Sequence, residues 1–309
     1  MPDSTRIAIV GAGRMAEAHL RAFLAQPGVV CAGIYSQTTA RAAALAHRYG
    51  APPVYTSLSE LYRCGQPHGV VLAVSCPDLA DVTQAAMAYN WTILMEKPPG
   101  LTLADTQRLL AVQKQYGRRV FVGLNRRCIG VIRHARAVLA QAGGVQSLHV
   151  QDTQDLTLAR QYHEPEVVLR HWMYANAIHT IDLLRYLGGE VSTVRVIRPW
   201  QAPRPETVVA ILQFTSGATG IYEGYWNAPG PRAVTATAPG VRCELRPLEK
   251  LHLWRTIPVR QRGSAGCGLA IDTSADHTRL RQKGAQVGLG HVPCANNGNA
   301  CAVRHSAPP

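Results

Sequence analysis

The sequence predicts two unlike domains in series, α/β and then α+β. The first is a doubly wound parallel sheet over residues 1–124; the second is an α+β fold on an open, largely antiparallel sheet over residues 125–262. Three observations carry this. Ile7-Ala8-Ile9-Val10 is an apolar run that passes into Gly11-Ala12-Gly13 and then into a helical pattern. Strand and helix signals alternate from there to residue 124, as βαβ crossovers do in a parallel sheet. Beyond residue 190 the pattern changes to long β-prone runs parted by Gly and Pro, as in hairpins of an antiparallel sheet.

The elements follow in order. In the first domain, strands are expected at residues 6–10, 29–35, 54–55, 69–74, 92–95 and 120–122. Between them lie a helix after Gly13, an Ala- and Arg-rich helix over 39–49, a serine-capped turn from Ser57, and helices over 78–89 and 102–116. Gly11 permits a tight turn, Gly13 lets an anion approach the helix N-terminus, and Ala16 lets helix pack on strand. With a second apolar run at βαβ spacing, this reads as a dinucleotide-binding Rossmann domain. In the second domain a basic helix over 129–142 leads to a strand over 147–151, and a helix over 176–187 follows. Strands are then expected over 193–197, 207–215, 218–226, 233–238 and 242–254. From 263 to 309 the sequence holds no sustained period of strand or helix and is expected to be a poorly ordered tail.

Composition narrows the function classes. The formal charge is +13, with 15 basic and 7 acidic residues in 1–150, 6 and 8 in 151–230, and 11 and 4 in 231–309. The excess is dispersed rather than clustered, and only three residues are Phe, so no nucleic-acid platform is expected. No run is long and apolar enough to span a bilayer and no leader pattern opens the sequence, which points to the cytoplasm. The eight cysteines (31, 64, 76, 128, 243, 267, 294 and 301) show no C-x-x-C and no zinc spacing. They read as reduced, mostly buried thiols, and no metal is expected.

Several residues fit redox chemistry on a nicotinamide. Gly11, Gly13, Arg14 and Met15 lie where a pyrophosphate would sit. Ser36, Thr38 and Arg41 follow the second strand, where an NAD-selective site usually carries a carboxylate; none is present, which favours NADP over NAD. Ser75 ends the fourth strand. Glu96-Lys97-Pro98-Pro99-Gly100 ends a buried strand at the carboxyl edge of the sheet, where a lysine can meet the nicotinamide and a substrate oxygen.

With Gly11-Ala12-Gly13, Glu96-Lys97-Pro98 and Gly123-Leu124-Asn125-Arg126-Arg127 in this order, residues 5–255 resemble the glucose-fructose oxidoreductase/inositol dehydrogenase/rhizopine-catabolism (Gfo/Idh/MocA) family. Residues 176–189, with His179 and Asp182, look like the family's H-x-x-D helix. The resemblance implies NAD(P)-dependent hydride transfer at a carbinol or carbonyl carbon of a sugar, polyol or nucleotide-sugar, with Lys97 and His179 flanking that carbon. The chemistry agrees, because imidazole suits the proton transfer and a lysine ammonium suits a developing alkoxide. Arg126, Trp172, Asn176 and Asp182 are expected to bind substrate, with Arg127, Tyr174 and Trp226 as further pocket residues. A homo-oligomer through the second sheet is the expected assembly. The sequence departs from the pattern at Ala175, where many members carry Asp, at Val74-Ser75-Cys76-Pro77, and in its last 47 residues (263–309). These departures motivate an alternative reading, a catalytically silent dinucleotide-binding sensor, and a further one, a degenerate homologue.

Overall fold

The computed structural model describes residues 4–201, 206–259 and 266–272 of the 309. The chain divides into two units. One comprises residues up to Asn125 together with Tyr174–Asn176; the other comprises Arg126–Met173 and the described residues from Ala177 onward.

The first unit runs β1 (Thr5–Val10), α1 (Arg14–Leu24), β2 (Val29–Tyr35), α2 (Thr39–Arg48), β3 (Val54–Tyr55), a helical turn α3 (Leu58–Glu60), β4 (Gly69–Leu72), α4 (Cys76–Ala86), β5 (Thr92–Met95), α5 (Leu103–Tyr116) and β6 (Arg119–Val122). The strands order β3-β2-β1-β4-β5-β6, and all neighbours are parallel. That is the doubly wound order with its switch point between β1 and β4, where such sheets leave a crevice at the carboxyl ends. Near-continuous apolar strands are what a sheet covered on both faces requires, and Ile7–Val10 and Val70–Leu72 are all buried. One apolar layer sets Ala16 and Leu20 of α1 and Ala42 and Leu45 of α2 against Ile9, Ile34 and Val71. The other packs Leu79 and Met87 with Trp91, Ile93, Met95 and Leu109.

Local chemistry sets the helix ends. The Thr102 side chain accepts from the Asp105 N–H while the Asp105 carboxylate accepts from the Thr102 N–H, a reciprocal capping box that starts α5. Gly117 closes α5 in the left-handed region at φ 62°.

The second unit contains α6 (Gly130–Gln141), β7 (Ser147–Thr153), α7 (Leu156–Gln161), α8 (Glu166–Arg170), α9 (Ile178–Gly188), β8 (Val191–Arg198), β9 (Thr207–Phe214), β10 (Thr219–Tyr225), β11 (Ala233–Ala238), β12 (Val241–Leu245), β13 (Leu251–Val259) and β14 (Gly266–Asp272). They form one 8-stranded sheet, β14-β13-β12-β11-β7-β10-β9-β8, antiparallel except for the β7–β10 pair. Helices α6 and α9 cover one face. Alternation along β7 puts Leu148, Val150 and Asp152 on the covered face, and along β9 it puts Ala210, Leu212 and Phe214 there.

The expected parallel and antiparallel sheets are both present. Four details differ from the sequence reading. The single strand expected over 242–254 is two, β12 and β13, because the chain turns at Arg246-Pro247 and Lys250 donates back to the Pro247 carbonyl. Helices α7 and α8 occupy a stretch that carried no expectation; Asp155 caps α7 by accepting from the N–H groups of Thr157 and Leu158. The expected tail contributes strand β14, whose backbone pairs with β13 from Val259↔Gly266 to Leu253↔Asp272; residues 273–309 lie outside the described residues. Cys31, Cys64, Cys76 and Cys243 are free thiols, with Cys64 exposed. Cys128 is disulfide-bonded, against the expectation of reduced thiols throughout, and isolated cysteines give no sequence signal for such a pairing.

Candidate functional site

The first group of candidate residues lies at the carboxyl edge of the parallel sheet. Gly11 leaves β1 at φ +111°, and a Cβ there would stand 2.2 Å from the Ala73 carbonyl oxygen at the end of β4. Only glycine allows β1 and β4 to close up at the switch point. Gly13 is the N-cap of α1 and makes no side-chain cap bond, and Glu17 N–H is the first in the helix to find its carbonyl, at Gly13. A Cβ on Gly13 would meet no atom within 4 Å. The opening turn of α1 thus presents its N–H groups to open space, which is what a pyrophosphate requires. Arg14 is exposed beside it and Met15 is half-buried.

Ser36, half-buried, accepts from the Thr38 N–H at 3.3 Å, and Thr38 and Arg41 are exposed at the start of α2, whose first turn holds no acidic residue. Ser75, expected among the cofactor contacts, hydrogen-bonds through its hydroxyl to the Asp78 carboxylate in the first turn of α4.

Glu96 and Lys97 follow β5. Glu96 is 9% exposed and both carboxylate oxygens are engaged inside the protein: Oε1 with His19 Nε2 at 2.8 Å, Oε2 with the Lys97 N–H at 3.2 Å. Lys97 is half-buried and donates from Nζ to the Ala175 carbonyl at 2.9 Å, within the same unit. The residue standing where an Asp was expected therefore meets the lysine through its backbone.

The second group, His179, Asp182, Arg126, Arg127 and Trp172, belongs to the other unit, whereas Tyr174 and Asn176 fall in the first. A π-turn over Met173–Ala177 leads into α9, whose first turn holds buried His179. Asp182 was expected to orient His179 or bind substrate; its carboxylate is instead clasped by the Arg127 guanidinium through both oxygens, with Nε to Oδ2 at 2.6 Å. Arg127 and Arg136 both lie against the Tyr186 ring, 5.2 and 4.5 Å from its centroid.

Arg126 and Trp172 come together on an open cleft of about 440 Å3. Arg126 pairs with Glu249 at 3.2 Å, and Trp172 Nε1 donates to Gln154 Oε1 at 3.1 Å. Burial lowers the Arg126 pKa, and the positive charge of Arg232 lowers it further, partly offset by Glu249. Behind the cleft lies Asp152, fully buried, which accepts from Tyr222 Oη at 2.8 Å, Trp226 Nε1 at 3.0 Å, Arg232 Nε at 3.2 Å and Gln154 Nε2 at 2.9 Å. Burial, then the nearby Asp152 charge, pushes the Tyr222 hydroxyl well above the ordinary tyrosine pKa, so it stays a donor. Trp226 is buried behind the cleft rather than facing it. Arg232, Gln154 and Asp152 escaped the sequence reading; the alternation that turns Leu148 and Val150 inward was the available signal for Asp152.

Comparison with known proteins decides the family. A model described as oxidoreductase family, NAD-binding Rossmann fold, matches residues 5–124, and a second, the GFO/IDH/MocA C-terminal domain, matches residues 125–246. The chain belongs to the GFO/IDH/MocA family. As a member it is an oxidoreductase with an NAD-binding Rossmann domain. Its curated relatives include 4-carboxy-2-hydroxymuconate-6-semialdehyde dehydrogenase of Sphingobium sp. (26% identical over 236 residues, 73% of either chain). Inositol 2-dehydrogenase of Salmonella typhimurium is 26% identical over 228 residues, 71% of this chain and 66% of the relative. These names agree with the expectation of an NAD(P)-dependent dehydrogenase acting at a CH–OH carbon. Among solved structures, an Agrobacterium radiobacter oxidoreductase in complex with NAD+, L-tartaric acid and magnesium superposes with a TM-score of 0.72 at 18% identity, over 88% of this chain and 80% of that one. Levoglucosan dehydrogenase in complex with NADH and levoglucosan gives 0.68 at 20% identity, over 87% and 80%. No helix among the described residues is long and apolar enough to cross a membrane.

Proposed function

We propose that this chain is an NAD(P)-dependent dehydrogenase that transfers a hydride between the nicotinamide and a carbinol or carbonyl carbon of a sugar, polyol or nucleotide-sugar, with Lys97 and His179 at the reacting carbon. The observation that carries the reading is Lys97: a half-buried amine at the carboxyl edge of a parallel sheet that opens with the glycine turn. The residues fit a dinucleotide. The N–H groups of the first turn of α1, with Gly11, Gly13, Arg14 and Met15, hold the pyrophosphate; Ser36, Thr38 and Arg41 hold a ribose 2′-phosphate, so NADP is the favoured form; Ser75 and Lys97 serve the nicotinamide end, and Glu96 serves it from behind through Lys97. When bound, the dinucleotide supplies the hydride acceptor or donor.

The chain's own groups do the rest. Lys97 donates to the substrate oxygen and stabilises the alkoxide, which in oxidation forms as the hydroxyl proton leaves and becomes the carbonyl as the C–H bond breaks. His179 takes the hydroxyl proton in oxidation and returns it in reduction. Arg126, Trp172, Asn176 and Asp182 are read as the substrate contacts, Asp182 through the guanidinium of Arg127. In the cleft, arginine and glutamine donors beside carboxylate acceptors and an indole suit a polyhydroxylated ligand. Inositol and levoglucosan, for which two of the similar proteins are named, and the L-tartaric acid bound in a third, are of that kind.

The outer face of the second sheet leaves Ile211 at 36%, Ile221 at 38% and Tyr225 at 38% exposure, and the edge strand β8 leaves Val194, Val196 and Ile197 at 53%. We assign this surface to a second copy of the chain, and the protein to the cytoplasm. The second reading, a dinucleotide-binding sensor without turnover, is favoured by one observation, Ala175 in place of an Asp. Turnover decides between the two. The full-length protein, given NAD+ or NADP+ and a panel of polyols, aldoses and hydroxy acids, should reduce the nicotinamide, and Lys97→Ala and His179→Ala should each lower kcat by about 10²- to 10⁴-fold. Cofactor binding with no hydride transfer across the panel would favour the sensor.

A further inference from the structure

His19 and Glu96 are the two charged or titratable side chains buried in the core of the first unit among the described residues, and they bond to each other across 77 positions of sequence. His19 is 2% exposed, on the inward face of α1 between Ala16 and Leu20, five residues after Arg14 opens the helix whose first turn is assigned to the pyrophosphate. Glu96 hangs from the end of β5, where its own N–H is tied to the Leu72 carbonyl at 2.9 Å. Its second oxygen takes the Lys97 N–H. Gly123, on the next strand end, adjoins this carboxylate: a Cβ there would stand in ordinary contact with Glu96 Oε2, at 3.6 Å.

A buried ionisable pair is a poor way to gain stability, because well-packed apolar residues of the same volume generally serve at least as well. What such a pair supplies is a fixed geometry, and here it links the helix that meets the dinucleotide to the backbone of the lysine that meets the substrate. We infer that His19 is a positioning residue, which through Glu96 ties the glycine-turn helix α1 to the backbone of Lys97 and so sets the lysine when the dinucleotide binds. This rests on the reading of Lys97 as the amine at the reacting carbon. The His19 proton on Nε2 bonds Glu96 Oε1, the Lys97 N–H bonds Oε2, and the carboxylate is left with little freedom to rotate. The Glu96 carboxylate thus meets the Lys97 backbone, while the Lys97 ammonium donates to the Ala175 carbonyl.

The test needs no known substrate. The chain has four lysines, 97, 114, 250 and 283, so reductive ¹³C-dimethylation gives a short spectrum in which Lys97→Arg assigns the Lys97 signal. Dimethylammonium keeps one N–H for the Ala175 carbonyl. In the unsubstituted full-length protein, saturation with NADPH should shift the Lys97 signal. In His19→Leu the shift should be lost although the protein still binds NADPH within about threefold, because the α1 N–H groups are untouched. His19→Gln should restore it, since the glutamine Nε2 can reach where the histidine Nε2 stood. His19→Asn, which offers a donor too short to reach Glu96, carries the same test should His19→Leu not melt cooperatively. A folded His19→Leu or His19→Asn protein whose Lys97 signal moves with NADPH as in the parent overturns the positioning role and leaves the dehydrogenase reading intact. No binding of NADPH or NADH to the parent protein overturns that reading and the positioning role with it.

Discussion

At the residue scale, single atoms decide whether the site can form. Gly11 combines a left-handed φ with a contact that no side chain tolerates, so Gly11→Ala should lose roughly 1–3 kcal/mol or more of stability and abolish NADPH binding. Chemical denaturation and nicotinamide fluorescence read the two effects. Asp152 holds four donors at a fully buried position, and Asp152→Ala would take the acceptor from Tyr222 Oη, Trp226 Nε1 and Arg232 Nε. A loss of roughly 3–5 kcal/mol is expected from the urea midpoint, the range for breaking a buried charged pair. Residues of these two kinds were unequally legible. Gly11, Gly13 and Lys97 announce themselves by order and spacing along the chain. The partners of Asp152 are scattered over β7, β10 and the segment before β11, and only the folded sheet collects them. His19 stood inside the helix that the glycine turn opens, yet nothing in a local pattern tells an inward histidine from an ordinary core one.

At the element scale, boundaries follow local chemistry that is partly readable in advance. The capping box of α5 makes Thr102→Ala worth about 1 kcal/mol of stability, measurable as a lower thermal midpoint. Strand β12 carries buried Cys243, whose thiol is raised from its usual 9.0 to about 11, chiefly by burial. A pKa raised by folding stabilises the native state fully below the unfolded value and is lost as pH climbs through the folded one. The protein should therefore lose stability between about pH 9 and 11, and Cys243→Ala should show a shallower decline over that window. An equal slope in the two proteins would remove the thiol as the cause. The elements that the sequence reading passed over have physical explanations. Helices α7 and α8, of 6 and 5 residues, are too short to build a periodic pattern, and the cap at Asp155 is the one local signal for α7. The break between β12 and β13 is marked by Pro247, which cannot supply a ladder N–H in the middle of a strand.

At the scale of the whole molecule, the alternation of strands and helices was enough to read a parallel sheet followed by an antiparallel one, because each buries its side chains with a different period. The alternation that turns Leu148 and Leu212 toward the helices turns Asp152 and Tyr222 there too, but it could not reveal which donors Asp152 meets. The apolar outer face of that sheet makes a prediction at this scale. The protein should sediment as a dimer or larger, and Ile221→Lys with Ile211→Lys, charges placed on directly paired positions, should shift it toward monomer; an unshifted distribution would move the interface elsewhere. The central claim, a dinucleotide bound by the glycine turn, is tested most directly by titrating the full-length protein with NADPH and with NADH while following nicotinamide fluorescence. Saturable binding, tighter for NADPH and lost when Gly13→Asp places a carboxylate at the helix N-terminus, is the predicted result; binding of neither dinucleotide by a protein that melts cooperatively would contradict it.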